Sequence, residues 1–284
     1  MSSEVTAVTV TLNGLPWIEQ CLDSLGGVEA VVVDHGSTDG TLELVRRRFA
    51  GVRVIEQENK GYGAGLNAGM RAAAGRYYLI INSDAWVVGD AVERLVAFAD
   101  EHPDAAVVAP RLSNPDGTLQ RSVRGFPTLW RLATEYFFLR KLAPRSRALN
   151  AFYAGGFDHD EAREIEWAMG SCFLVRRDAC DAVGFLDESF FLFSEETDWL
   201  YRFHAAGWKI WFFPGAEVVH VGGATHGGRM FTENVRGHLR FFAKHGGARQ
   251  AARARRLLIL ALRLRGLLFH GERGRMYRDA ARSL

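Results

Sequence analysis

Three cysteines in 284 residues are too few for a disulfide framework. Cys21, Cys172 and Cys180 are also odd in number and never form a Cys-x-x-Cys pair, so no zinc site is indicated either. The chain has no run of the roughly 18 apolar residues that a membrane-crossing helix needs. The longest such run in its last part, Leu257–Leu262, ends at Arg263. The start, Met1–Leu12, lacks the basic-then-apolar pattern of a secretory signal, which points to the cytoplasm. Internal repeats, low-complexity linkers and an activated serine or cysteine site are absent as well. What remains is 48% apolar and 24% charged, an ordinary globular composition with length enough for a sizeable core.

Charge is unevenly placed. From Arg249 to the end ten arginines face only Glu272 and Asp279, so this tail carries +8. Against a total of +2, that leaves −6 on the first 248 residues. A basic tail on an acidic body suggests an anionic partner. Leucines mixed among the arginines favour lipid over nucleic acid: Leu257, Leu260, Leu264, Leu267 and Leu268 recur at helical spacing. The expected organisation is one catalytic domain over residues 1–245 and a basic amphipathic helical tail over 246–284. That tail would hold the protein at the inner face of the cell membrane. Packing of the tail on the domain or on a homodimer partner is the alternative, since Arg265 flanks the leucines and Leu258, Ile259 and Leu262 point elsewhere.

Along the first 110 residues, short β-branched runs (5–12, 30–33, 52–56, 77–81, 106–109) alternate with helical patterns (17–25, 41–49, 64–74, 90–101). Such alternation predicts an α/β fold with a mostly parallel central sheet and helices on both faces. Ligands of such sheets bind at the carboxyl ends of the strands. Asp34 ends the second run and is followed by His35-Gly36-Ser37-Thr38-Asp39-Gly40, which suits contact with a base or ribose. Asp39 reads equally as a turn or capping residue. The glycine-rich stretch Asn59–Gly69 opens a helix whose bare amides suit a phosphate, although Leu66 stands where a dinucleotide fingerprint needs glycine. Asn82-Ser83-Asp84 ends the fourth run, where a carboxylate can hold a hard divalent cation, although such a cluster is more often an ordinary turn. Glu195, Glu196 and Asp198 follow four apolar residues and start a helix, whose N-terminus stabilises their charge. His220 closes a late strand before Gly222-Gly223, as a metal or phosphate contact or a structural histidine.

Together and in this order, these pieces resemble family 2 of the inverting glycosyltransferases, which have the GT-A fold. The resemblance runs from Val5 to about Thr225. It rests on Val33–Gly40, the Asn59–Gly69 loop, Asn82-Ser83-Asp84, Glu195-Glu196-x-Asp198 with Arg202, and His220-x-Gly222-Gly223. It implies a nucleoside diphosphate-sugar donor, contacted by Thr11, Asn13, Asp34, Asp39, Gly61, Gly63, Asn67, Asn82, Ser83 and Arg202. It also implies a divalent metal, Mn2+ or Mg2+, at Asp84 and His220, and a catalytic base at Glu196 with Glu195 and Asp198 beside it. Two departures stand out. Asn82 replaces the first acid of the family's Asp-x-Asp, and Glu196 replaces the more usual aspartate. Within the family the chain is most similar to bacterial enzymes that add rhamnose from dTDP-L-rhamnose to a polyprenyl-diphosphate-linked sugar.

The implied reaction is single displacement, with the base taking a proton from the acceptor hydroxyl as it attacks the anomeric carbon. Gly170-Ser171-Cys172 is expected beside the sugar or acceptor. Two other readings remain. A sugar-1-phosphate nucleotidyltransferase needs a glycine- and arginine-rich loop after its first strand, where this chain has Asn13-Gly14-Leu15-Pro16-Trp17. A non-catalytic nucleotide-sugar-binding module would have little use for the acid cluster.

Overall fold

A computed structural model describes residues 4–222 and 228–284; Met1–Ser3 and the end of the resembling stretch, Gly223 to Thr225, lie outside the described residues. The chain runs β1 (Val5–Thr11), α1 (Ile18–Ser24), β2 (Glu29–Asp34), α2 (Thr41–Arg48), β3 (Arg53–Glu56), α3 (Tyr62–Ala72) and β4 (Tyr77–Ile81). After these come β5 (Ala85–Val87), α4 (Ala91–Glu101), β6 (Ala105–Ser113), β7 (Leu119–Gln120), β8 (Val123–Arg124) and α5 (Leu129–Tyr136). The rest is β9 (Arg163–Glu164), β10 (Trp167–Ala168), β11 (Cys172–Arg176), α6 (Arg177–Val183), α7 (Glu195–Ala205), β12 (Lys209–His220), α8 (Gly228–Leu268) and α9 (Gly271–Ser283).

The main sheet has the order β3-β2-β1-β4-β11-β6-β12-β5, with β7 on β6 and β9 on β12. Strands β3, β2, β1 and β4 are mutually parallel, and β12 runs parallel to β6. The one reversed strand inside is β11, antiparallel to both β4 and β6, so the carboxyl ends of β1, β2, β4, β6 and β12 share one edge. Every residue of β1 and β4 is buried, because helices cover both faces, as unbroken apolar strands require. Alternation then divides them. Val8, Val10 and Ile80 face a core shared with α3, α6 and α7, while Ala7, Leu79 and Ile81 face one shared with α1 and α4.

Short β5 was not among the expected strands. It lies antiparallel to the end of β12, with His220 opposite Ala85. This pairing brings the end of β12 beside the turn after β4. The two late strand signals, 208–213 and 218–219, prove to be one strand with an irregularity between Phe213 and Glu217.

The C-terminal helices form a third cluster. Helix α8 breaks at Gly247 (φ 71°), and α9 folds back on it. Leu258, Leu262, Ala254 and Ala261 are buried with Leu132 and Tyr136 of α5 and Tyr277 of α9. Arg265 is buried too. It donates to the carbonyls of Tyr136 (2.8 Å) and Glu135 (2.7 Å), and it lies 4.0 Å from the Phe138 ring centroid. A cation thus caps the last carbonyls of α5. The tail therefore packs on the domain mainly through residues outside its leucine stripe, with Leu257 of the stripe partly buried beside them. Of the stripe itself, Leu260, Leu264, Leu267 and Leu268 remain exposed.

Helix α3 lies so close to the sheet that a Cβ at Gly69 would come within 2.3 Å of Val8 Cγ1. Gly69→Ala gains about 1 kcal/mol of helix propensity but overpacks a filled core, which typically costs about 1–3 kcal/mol. The expected outcome is a net loss of stability, read as a lower midpoint in denaturant unfolding.

Candidate active site

Two turns at the shared edge are laced together. Asp34 is wholly buried, and its Oδ2 accepts the amides of Gly36 and Ser37, both at 2.8 Å, while its Oδ1 accepts the Ser37 hydroxyl. Asn13 Oδ1 accepts the Thr38 amide (2.9 Å), and Asp39 Oδ2 accepts the Leu15 amide (3.1 Å). What little burial Asp39 has opposes its charge, yet hydrogen bonds from Thr41 and Leu15 hold its carboxyl below the usual range. Thr11 Oγ1, at the end of β1, is buried without a partner. A nucleobase bound to Asp34 would have to share its oxygens with this loop.

The glycine stretch has a task besides the one its composition suggested. Gly61 takes φ 110°, where a side chain would strike the carbonyl of Phe191. Its amide donates to Asn59 Oδ1, and the amide of Tyr62 donates to Phe191 O (2.9 Å). Gly63 packs beneath Leu186 and Glu195. Asn67 is buried, donating to Leu186 O and Glu188 Oε1 and accepting the Leu186 amide. These groups seat the 186–195 segment, and the amides of Gly61 and Tyr62 are engaged within the protein. Gly61, Gly63 and Asn67 thus have a packing role besides the nucleotide-sugar contact expected of them.

At the end of β4, Asn82 Oδ1 accepts the hydroxyl of Tyr62 (2.6 Å), and Ser83 turns towards Gly14. Asp84 Oδ1 lies 3.4 Å from His220 Nε2, and its Oδ2 accepts the Gly222 amide (3.3 Å). Burial opposes the charge of Asp84, but His220 and Gly222 outweigh it, so the carboxyl sits below the usual range. Gln120 fixes the histidine. Its Nε2 donates to Asn114 Oδ1 and His220 O, so its Oε1 faces His220 Nδ1 at 2.7 Å. With Nδ1 donating there, the lone pair of Nε2 points at a carboxylate oxygen. Asn82 Nδ2 meets the same ring nitrogen at 3.4 Å, so Asn82, Asp84 and His220 converge on one point. Among the described residues no three His, Cys, Asp or Glu side chains converge to hold a metal. A two-ligand site suits a hard divalent cation that takes its remaining ligands from diphosphate and water.

Across from this pair, Phe193 and Ser194 both adopt left-handed backbone (φ 66° and 68°) and launch α7. Such non-glycine conformations cost on the order of 1–3 kcal/mol each and mark places that the fold must over-determine. Glu195 and Glu196 come next, each with a buried Oε2 that has no partner. Burial pushes the Glu196 carboxyl up to about 7 against the pull of the helix-start amides. Burial and the neighbouring charge of Glu196 also hold the Glu195 carboxyl well above its ordinary range. Gly170 packs against Glu196, whose Cβ and Cγ would lie 3.5 Å from a side chain placed there. Burial raises the Tyr62 hydroxyl, with added effect from Glu195, Glu196 and Asp84, so this side chain spans the two acidic groups. No sequence signal singled out Tyr62 beyond its place in the glycine stretch.

Residues 6–184 match the profile of Glycosyl transferase family 2, well over half of the chain. This chain belongs to that family. The glycosyltransferase is 31% identical over 237 residues to the N-acetylglucosaminyl-diphospho-decaprenol L-rhamnosyltransferase of Mycobacterium tuberculosis, covering 78% of this chain and 76% of that one. In fold it is similar to a mannosyltransferase of Pyrobaculum calidifontis in complex with GDP-Man and Mn2+ (TM-score 0.60, 16% identity, 100% of this chain and 81% of that one). It is also similar to S. aureus TarS 1-349 in complex with UDP (TM-score 0.55, 18% identity, 94% and 72% covered). It spans 43% of a longer S. aureus TarS chain. These likenesses agree with the mixed α/β architecture of GT-A type and its C-terminal helical region.

Asp198 and Arg202 do not join the open part of the glycosyltransferase site. Asp198 is fully buried and takes Arg202 Nε (3.0 Å), Lys244 Nζ (2.9 Å) and His245 Nε2 (2.7 Å). Arg202 also donates to the carbonyls of Val183, Gly184 and Phe185. The expected catalytic part of Asp198 and nucleotide-sugar contact of Arg202 are thereby corrected, since their polar atoms are engaged in bracing α7. Lys244 and His245, which the sequence reading missed, come from α8, and Gly237 of α8 presses against the strained Phe193–Ser194 turn. Removing one partner of a buried charge cluster is strongly destabilising. Asp198→Asn is expected to lower unfolding stability by about 3 kcal/mol, measured by urea titration.

Proposed function

We propose that the protein is an inverting glycosyltransferase that moves L-rhamnose from dTDP-L-rhamnose to a hydroxyl of a polyprenyl-diphosphate-linked sugar. The observation that carries the chemistry is Glu196: a buried carboxylate oxygen without a partner, on a carboxyl pushed up to about 7, at the start of α7. A base of that strength takes a proton near neutral pH while the acceptor oxygen attacks the anomeric carbon. Tyr62 and Asn82 link the base side of the site to the donor side. Asp84 and His220 would hold a divalent cation, which stabilises charge on the departing nucleoside diphosphate. The sugar and the lipid-linked acceptor follow the mycobacterial rhamnosyltransferase, and the dTDP carrier follows the family resemblance.

Glu196→Gln keeps the shape of the base and removes its function. Donor binding is expected to persist while turnover falls by roughly 10²–10⁴-fold. For the wild type, kcat/KM should rise about tenfold per pH unit below about 7 and level off above it. The linkage sign follows from the raised carboxyl. Burial of Glu196 favours the folded state below the ordinary carboxylate range, and this contribution is lost as pH rises through about 7. A pH–rate profile unchanged in Glu196→Gln would count against this base. In thermal-shift titrations with Mn2+, dTDP should stabilise the protein more than UDP or GDP. The reverse order would reject the rhamnose donor and leave the transferase reading intact.

The exposed leucines support attachment to an anionic membrane. Leu260, Leu264, Leu267 and Leu268 lie on a face with Arg256 and Arg263 exposed nearby. No helix among the described residues is long and apolar enough to cross a membrane, so the helix would lie in the headgroup plane. Replacing Leu264, Leu267 and Leu268 by glutamine should abolish co-sedimentation with phosphatidylglycerol vesicles at low salt. Retained sedimentation would remove this reading.

A further inference from the structure

A cavity lies away from the acids, in the segment between β8 and β10. It has a volume of about 200 Å³ and is lined by Arg124, Arg131, Arg147 and Arg163 together with Glu164 and Glu166. The charges do not cancel. Glu166 is committed to Arg131 through two hydrogen bonds (2.5 and 2.6 Å), and it also accepts the Phe126 amide. Arg124 donates only to uncharged acceptors, the carbonyls of Arg121 and Val123 and the Met169 sulfur. Arg147 and Arg163 are exposed at the rim, Arg163 over the Phe157 ring. Glu164 lines the same cavity, and Glu135 lies near enough to Arg124 to act on its charge, so three guanidinium groups outnumber two acids. A small pocket with surplus planar donors suits a phosphate or diphosphate, which arginine grips through paired N–H groups.

The cavity is tied to the reacting centre by a short path. Arg124 pairs with Trp167 in the β8–β10 ribbon, and its Nη2 reaches Met169 Sδ at 3.3 Å. Met169 precedes Gly170, which faces Glu196. Met169 and Gly170 therefore join the pocket wall to the base. Beyond the opposite rim lie exposed apolar side chains. Trp130 donates its indole N–H to the carbonyl of Ala148, beside Arg147, and Leu142 stands out on the same segment. Phe138 there meets Phe269, which follows the exposed leucines of α8.

We propose that this cavity receives the diphosphate of the lipid-linked acceptor, orienting its sugar towards Glu196 and its hydrocarbon over Trp130 and Leu142. The inference rests on the transferase reading above and names the acceptor contact of that same site. Donor phosphates belong elsewhere, at the Asp84–His220 pair.

The test uses the full chain and inorganic pyrophosphate in EDTA, so that metal-dependent binding at the donor site is suppressed. Calorimetry should detect pyrophosphate binding to the wild type. In the Arg147→Ala/Arg163→Ala variant binding should be roughly tenfold weaker per lost charged contact. The paired lysine variant should recover part of the affinity. With lipid-linked acceptor, the alanine variant should raise the acceptor KM far more than it lowers kcat. Equal pyrophosphate affinity in wild type and alanine variant would overturn the proposal. So would loss of pyrophosphate binding on saturation with a nucleoside diphosphate. Failure of the transferase reading itself would appear separately, as absence of sugar transfer by the wild type.

Discussion

Everything at the reacting centre depends on one buried carboxylate. Asp198 sits one turn into α7 and gathers Arg202 from its own helix and Lys244 and His245 from α8. Desolvating these charges is costly, and the cost is met only because the geometry closes. The closure anchors the start of α7, where two left-handed residues aim Glu195 and Glu196 inward. Without the anchor, strained backbone and two buried, unpartnered carboxylate oxygens would relax towards water. The family-matched segment ends at residue 184, yet the brace comes from residues 237–245. The support of the acid-bearing turn thus extends into α8.

The two acidic groups face opposite electrostatic demands, and the fold meets them with the same burial. At Asp84, a histidine and a backbone amide overcome desolvation and keep the carboxyl low, ready for a cation. At Glu196, the helix-start amides do not overcome it, and the carboxyl rises to about 7. A group that should hold a metal needs a stable negative charge. One that should take a proton from a hydroxyl works best near the operating pH. Tyr62 lies between the two and keeps them apart.

Much of the architecture was legible from periodicity. The first four strands and their helices fall within a residue or two of the expected bounds, because buried parallel strands and amphipathic helices leave strong local patterns. What escaped was non-local. Strand β5 is three residues long and is defined by pairing with a strand more than 130 residues away. The glycine stretch looked like a phosphate cradle, and its glycines also answer to Phe191, Val8 and Glu195, contacts that no local pattern encodes. Lys244 and His245 had no motif at all. Arg265 appeared to spoil an amphipathic helix, yet it caps α5.

The account's central claim is direct displacement at the anomeric carbon, with Glu196 as base and no covalent intermediate. The most direct measurement is the anomeric configuration of the product, read by NMR from the one-bond carbon–hydrogen coupling after a single turnover with dTDP-L-rhamnose. The account predicts a configuration opposite to that of the donor. A product that retains the donor's configuration would contradict it.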